Sequence, residues 1–407
     1  MSNQYLNLER FEAASEAVKH VIQDTKLIYS EYLSLQTGGK IYLKPENMQI
    51  TGAYKLRGAY YKISTLTEKE RSRGLITASA GNHAQGVAYA AGRYGVKAVI
   101  VMPTTTPLIK VNRTKSLGAS VILAGDMYDE SYQTALKMAA EKGYTFIHPF
   151  DDLAVAAGQG TVMMEIYKEL PLVDYLLVPI GGGGLAAGVS VLAKLLNPKI
   201  KVIGVEPAGA NCLQESLKAG EVISIAEVNT IADGTAVRTP GSVIFPYLKE
   251  NLDEIITVDD EELVAAFLDM VENHKMVVEN SGLLSVAALK HLELRGKRAA
   301  AILSGGNMDV ITMSSVVQRG LIIRDRIFTV SVLLPDKPGE LTRVSGVIAE
   351  KNGNVIKLEH NQFVSINRNA AVELRITLEA FGTEHKNEII STLENGGYRP
   401  RVVRTNI

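Results

Sequence analysis

Lys55 is set up for chemistry by its neighbours. It lies in Thr51-Gly52-Ala53-Tyr54-Lys55-Leu56-Arg57-Gly58, an aromatic-lysine pair between two glycines. Small residues let the backbone approach a flat ligand, and Tyr54 can lie against a ring. A lysine amine is a nucleophile towards carbonyl compounds and forms Schiff bases with them. The plainer alternative is a glycine-flanked turn with a solvated lysine. The choice depends on what else the chain carries.

Three further segments weigh against the plain alternative. Ser79-Ala80-Gly81-Asn82-His83-Ala84-Gln85-Gly86 follows the apolar Leu75-Ile76-Thr77 and precedes a helix-like Val87-Ala88-Tyr89-Ala90-Ala91. This is a strand, a turn and a helix start, whose N–H groups suit an anion such as a carboxylate. A simple N-cap would need Ser79 or Asn82, but not Asn82, His83 and Gln85 together. Gly181-Gly182-Gly183-Gly184-Leu185 follows the apolar strand at 175–180. Four consecutive glycines can turn several N–H groups towards one phosphate. A dinucleotide loop would instead need the spaced G-x-G-x-x-G fingerprint, which Gly184 to Gly188 does not supply. Ser304-Gly305-Gly306-Asn307 closes the strand-like 298–303 and is the fourth glycine-bearing turn of this kind.

The elements that position these turns alternate β and α from about residue 20 to 320. Segments 97–101, 121–124 and 201–205 read as short buried strands between helices. That pattern predicts an α/β fold with parallel sheets covered by helices on both faces. Ligands of such folds bind at the C-terminal ends of strands, where all four turns fall. After Arg324-Asp325-Arg326 the pattern changes. An alternating strand at 328–334 leads to Asp336-Lys337-Pro338-Gly339-Glu340-Leu341 and a helix to about Lys351. Strands near 354–359 and 371–378, a helix from about Thr383 and a strand at 398–403 complete a βαββαβ order.

Together with His148-Pro149-Phe150-Asp151-Asp152, Ala157-Gly158-Gln159-Gly160-Thr161 and Thr230-Ile231-Ala232-Asp233-Gly234, these motifs resemble the fold-type II pyridoxal-phosphate enzymes. Within them the chain resembles the threonine ammonia-lyases (threonine dehydratases), over nearly its whole length. The resemblance implies a two-lobed catalytic domain at 1–322, with a small lobe at about 45–148 inserted in the large one and pyridoxal 5'-phosphate in the cleft between them. It implies that Lys55 carries the cofactor, with Tyr54 against the ring. Asn82 would contact the ring hydroxyl, Gly181, Gly182, Gly183, Gly184 and Leu185 would hold the phosphate, Ser304 would face the ring nitrogen, and Gly234 would border the cofactor. Ser79, Ala80, Gly81, Asn82 and His83 would form the turn for the substrate carboxylate. Ala53 departs from the serine of many relatives.

The implied reaction is deamination of L-threonine to 2-oxobutanoate and ammonia, with L-serine to pyruvate as a secondary activity. A neutral serine at 304 makes the ring a weaker electron sink than an aspartate would, which favours prompt loss of a β-leaving group. Ala80 separates the chain from the related serine racemases, which carry a second base there. Those racemases also bind a divalent metal through positions matching Glu206, Ala210 and Cys212; a cysteine is a poor ligand for a hard cation, so no Mg²⁺ or Ca²⁺ site is expected, while a monovalent ion near Glu206 stays open. The alternatives are an amino-acid racemase, a dehydratase of another β-hydroxy amino acid, and a non-catalytic amino-acid sensor. His148 reads as a structural hydrogen bonder between lobes, His83 as orienting the carboxylate turn and Glu279 as shaping the substrate side.

The C-terminal part, 323–407, resembles an ACT domain, a small-ligand regulatory module. It implies an amino-acid or nucleotide effector and a homo-oligomer, a tetramer or dimer. Isoleucine as effector would mean a biosynthetic enzyme; the single short domain leans towards catabolism. Composition fits these expectations. With 43 basic and 44 acidic residues the formal net charge is −1, which gives no electrostatic case for nucleic acid or an anionic membrane. One cysteine, Cys212, excludes an intramolecular disulfide framework and suits a reducing cytoplasm. Segment 176–193 is uncharged, but its glycine run and Pro179 argue for a strand, a loop and a buried helix rather than a membrane span.

Overall fold

The structure, a computed structural model, describes residues 5–362 and 372–405. It divides into two compact units, Met1–Met308 and Asp309–Ile407. The first carries strands β1 (Ile28–Ser30), β2 (Lys40–Lys44), β3 (Leu75–Ala78), β4 (Ala98–Met102), β5 (Ser120–Leu123), β6 (Thr145–Phe146), β7 (Tyr175–Pro179), β8 (Lys201–Pro207), β9 (Glu254–Val258) and β10 (Arg298–Ile302).

These strands form two sheets. A four-stranded sheet in the order β5-β4-β3-β6 is parallel throughout and lies inside the expected small lobe. A six-stranded sheet in the order β1-β2-β10-β7-β8-β9 forms the large lobe. It is parallel from β2 to β9, but β1 runs antiparallel to β2. The link between them, the helix Glu31–Thr37, is too short for a parallel crossover, so the chain turns back on itself. Strands β3 and β4 are buried at every residue, as expected of sheets covered on both faces. Strand β5 corrects one expectation. It is the sheet edge, and Leu123 is exposed rather than buried.

The uncharged stretch at 176–193 is divided between β7, the glycine loop and the buried helix Gly184–Leu196. No described helix is long and apolar enough to cross a membrane. The helix Leu153–Glu169 packs between Gly184–Leu196 and the helix Lys55–Thr65. A Cβ on Gly158 would stand 2.7 Å from the Cα of Gly58, so the Lys55 helix is held backbone to backbone. That contact ties the small lobe to the large-lobe core at the point where the lysine emerges.

The second unit carries β11 (Ile327–Leu334), β12 (Asn354–Asn361), β13 (Val372–Glu379) and β14 (Arg401–Val403) in an antiparallel sheet ordered β12-β13-β11-β14. Helices Glu340–Glu350 and Thr383–Asn395 supply the two crossovers and bury Val344, Ile348, Ile389 and Leu393 against the sheet. This is the βαββαβ order read from the sequence. The strand start expected at Ala371 lies outside the described residues. The last strand begins at Arg401 instead of Tyr398, because Tyr398 N–H closes the preceding helix end on Leu393 and Pro400 has no N–H to give a ladder. The compact units part at Met308, ahead of the 322/323 boundary. The helix Val310–Ile323 lies against β11 and so groups with the second unit.

Candidate active site

Lys55 opens its helix directly after a turn at Gly52, whose φ of 73° suits glycine. The turn is fastened to the one after β10. Ala53 bridges Gly305, Tyr54 N–H donates to Ser304 O at 3.1 Å, and Gly306 N–H donates to Gly52 O at 2.9 Å. The Lys55 and Ser304 segments, far apart in sequence, thus form one small ladder. Lys55 Nζ donates to the carbonyl of Pro149 at 2.9 Å and stands 5.3 Å over the Tyr54 ring. Burial pushes its ammonium down to about 8, partly offset by the carboxylate of Glu279. Burial and Glu279 together push the Tyr54 phenol up.

Asn82 starts the helix Asn82–Arg93, after β3. Its Nδ2 donates to Glu279 Oε1 at 2.6 Å, and its Oδ1 accepts from Asn307 Nδ2 at 2.7 Å. Glu279 is buried, and desolvation with the neighbouring Asp233 pushes its carboxyl up to about 7. In the preceding turn Gly81 N–H donates to Ser79 Oγ at 3.2 Å, and a Cβ on Gly81 would meet open space. Ala80 packs on the small-lobe core. Among the described residues no side chain caps this helix, so its N-terminal donors suit a carboxylate. His83 is buried and neutral. Burial, with the Lys55 charge adding to it, pushes the ring to about 3. Its Nε2 pairs with Ile147 O at 3.1 Å, while Nδ1 is buried without a partner among the described residues.

The glycine loop is wedged rather than flexible. A Cβ on Gly182 would stand 2.4 Å from the Phe150 ring, one on Gly184 2.8 Å from Phe150 O, and one on Gly181 3.0 Å from Thr235 Cα. Gly183 has φ 98° and precedes the helix Gly184–Leu196, which again has no side-chain cap among the described residues. Phe150 is fixed in turn by His148, whose Nδ1 accepts the N–H groups of Phe150 at 3.2 Å and Asp151 at 2.8 Å. Burial pushes His148 down to about 4, which suits an acceptor ring; its bonds lie within its own turn rather than between lobes as expected. Gly234 backs Glu279: a Cβ there would be 2.9 Å from Ser281 Oγ and 3.7 Å from Glu279 Oε1.

Two arrangements went unread in the sequence. Near Lys55 lies a charged quartet of buried Lys44, Glu46 and Arg57 with the partly buried Glu165. Arg57 reaches Glu46 at 2.8 Å through two nitrogens and Glu165 at 2.6 and 2.9 Å, and Lys44 also pairs with Glu165. Burial alone would raise the Glu46 carboxyl, but Arg57 and Lys44 hold it below its ordinary range. A lysine ending an apolar strand and an arginine two residues after Lys55 were the available signals. The second arrangement is Lys110 with Asp233, 3.1 Å apart, which pairs the small lobe with the large one beside Glu279. Glu206 serves the fold. Its oxygens accept the N–H groups of Leu213 at 2.9 Å and Gln214 at 2.8 Å, capping the helix Cys212–Ala219.

The site therefore offers an amine, an anchored amide, a buried serine at position 304 and two helix starts with no side-chain cap among the described residues. That set fits a phosphorylated aromatic aldehyde: a loop shaped for phosphate at one end and an amine at the other. The sequence profile of the family described as "Pyridoxal-phosphate dependent enzyme" matches residues 18–305. The L-threonine ammonia-lyase of Thermotoga maritima is 43% identical over 98% of this chain and 100% of that one. The chain belongs to the pyridoxal-phosphate dependent enzymes, among the threonine ammonia-lyases. Solved structures of this enzyme family agree. Threonine deaminase isoform 2 of Solanum lycopersicum is 37% identical, covers 78% of this chain and 96% of its own, and superposes with a TM-score of 0.74. Maize serine racemase is 32% identical, covers 79% and 100%, and gives 0.73.

Proposed function

We propose that the cleft deaminates L-threonine to 2-oxobutanoate and ammonia by α,β-elimination of water, and L-serine to pyruvate as a lesser activity. The observation that carries this reading is the Lys55 amine, desolvated and held on the carbonyl of Pro149, next in sequence to the Phe150 that wedges the glycine loop. Gly181 to Leu185 would hold the cofactor phosphate, Asn82 its ring oxygen, Ser304 its ring nitrogen, and Tyr54 and Gly234 would border it. When bound, the cofactor supplies an aldehyde that condenses with amines and a conjugated ring that spreads negative charge from the substrate Cα.

The residues do the rest. The 79–83 turn binds the substrate carboxylate at the start of the Asn82 helix. Lys55, with its amine pushed down to about 8, takes the Cα proton as a general base near neutral pH. Ser304 is neutral and leaves the ring a moderate electron sink, which favours departure of the β-hydroxyl; together with the proton lost from Cα it leaves as water overall. Ala80 has no proton to return to Cα, so elimination prevails over inversion. The released enamine hydrolyses to the 2-oxo acid and ammonia.

The second unit is read as an ACT-type regulatory module, binding an amino acid or a nucleotide in a homo-oligomer. Its βαββαβ order and the turn from Asp336 into the helix Glu340–Glu350 support this. The test is 2-oxo acid release from L-threonine by the purified holoenzyme, with and without isoleucine. Turnover supports the reading. A protein that binds the cofactor but does not turn threonine over would point to another β-hydroxy amino acid or to racemisation.

A further inference from the structure

Asn82 sits in a run of hydrogen bonds whose direction is fixed at one end. The carbonyl oxygen of Thr51 can only accept, and it takes an N–H of Asn307 Nδ2 at 2.7 Å. The other N–H of that nitrogen goes to Asn82 Oδ1, also at 2.7 Å. The Asn82 oxygen is therefore an acceptor, and its Nδ2 faces Glu279 Oε1 at 2.6 Å. One N–H of Asn82 is taken by the carboxylate, which leaves the second for a ligand. Glu279 is itself held in place. Its backbone N–H donates to Gly305 O at 3.0 Å, and a Cβ on residue 305 would lie 2.3 Å from Oε1. Only a glycine there leaves room for the carboxylate.

We infer that Glu279 is a positioning residue for the reaction: by accepting from Asn82 it holds the amide from the side opposite Asn307, so that an Asn82 N–H is presented to the cofactor's ring oxygen. The inference rests on the reading of this cleft as the cofactor site. Without Glu279 the amide keeps one anchor, the bond to Asn307, and swings about it. The charges around Glu279 are Asp233, which opposes its ionisation, and Lys110 and Lys55, which favour it; the Tyr54 phenol lies beside them. Burial pushes its carboxyl up to about 7, so its charge changes near neutral pH. The ionised form raises the basicity of Lys55, and both forms retain an oxygen that accepts from Asn82. A glutamine would keep the acceptor and lose the titration.

The test titrates cofactor-free wild type, Glu279→Gln and Glu279→Ala with pyridoxal phosphate, followed by visible absorbance, and then measures kcat and KM against pH. Glu279→Ala is expected to weaken cofactor affinity and lower kcat, each by about 10–100-fold, with KM for threonine nearly unchanged. Glu279→Gln is expected to keep cofactor affinity within about threefold and to move the acid limb of the activity profile to lower pH than in wild type, because a neutral amide no longer raises the basicity of Lys55. Wild-type uptake with an unaffected Glu279→Ala, or a Glu279→Gln as impaired as Glu279→Ala, overturns the inference alone. A wild type that takes up no pyridoxal phosphate overturns the reading of the cleft, and this inference with it.

Discussion

Tyr54 donates its backbone N–H to the carbonyl of Ser304 at 3.1 Å, and through that bond the lysine turn and the turn after β10 become a single object. Lys55 follows Tyr54 directly, and the serine proposed to face the cofactor's ring nitrogen is the acceptor. The two ends of the proposed cofactor ring are thereby set by one backbone ladder rather than by separate loops. This is the kind of rigid support that a site needs if reacting groups are to stay in register.

The quartet near Lys55 is balanced in charge, with Lys44 and Arg57 against Glu46 and Glu165. Arg57→Met leaves Glu46 buried without its main partner and is expected to cost about 3–5 kcal/mol of stability. Adding Glu46→Leu restores the balance, leaving Lys44 with Glu165, and should recover most of the loss. Chemical denaturation of the single and double variants reads both values. A double variant no more stable than Arg57→Met would contradict the balance argument.

The glycine loop predicts a rescue. Gly182→Ala places a methyl 2.4 Å from the Phe150 ring, so the loop must move and the proposed phosphate donors with it. Overpacking of this sort costs about 1–3 kcal/mol, and cofactor affinity should fall by roughly tenfold or more. Phe150→Leu in the same chain should return much of that affinity. Equilibrium titration with pyridoxal phosphate checks it, and an unaffected Gly182→Ala would mean that the loop does not hold the cofactor.

Lys55 carries a stability signature in the cofactor-free protein. Its folded value of about 8 lies below the ordinary 10.5, so between the two the unfolded chain binds more protons. Stability contributed at this site therefore rises with pH across that window, and the cost of burying the charge is fully present below it. Lys55→Met should stabilise the cofactor-free protein at pH 7, and the advantage should shrink as pH climbs from 8 towards 10.5. An advantage independent of pH would show that the amine is not desolvated.

The second unit divides from the first at Met308, and this sets the truncation to make. A chain ending at Met308 should keep threonine turnover and lose any response to isoleucine or a nucleotide. Dose–response curves on both chains decide it. A response that survives the truncation would remove the regulatory part assigned to residues 309–407.

Much of the site was legible because its turns are local. A buried apolar strand followed by glycines and small polar residues, as at Gly181 to Gly184 or Ser304 to Asn307, marks a strand end without any tertiary knowledge. The alternation of β and α gave both parallel sheets for the same reason. What could not be read depends on contacts between distant segments. Nothing near residue 279 says that its carboxylate meets Asn82, and Lys44, Glu46, Arg57 and Glu165 look like surface charges until four elements bring them together. The antiparallel β1 and the exposed edge at β5 followed from connection length and sheet order, which hydrophobic pattern alone does not carry.

The most direct test of the central claim is to reduce the holoenzyme with borohydride, digest it and find the peptide that carries the pyridoxyl group by mass spectrometry. The label is expected on Lys55, with the visible absorbance lost on reduction. Lys55→Ala is expected to yield no labelled peptide and to lose roughly 10²–10⁴-fold in threonine turnover. A label on another lysine, or a Lys55→Ala protein that keeps both its colour and its activity, would contradict the assignment of Lys55.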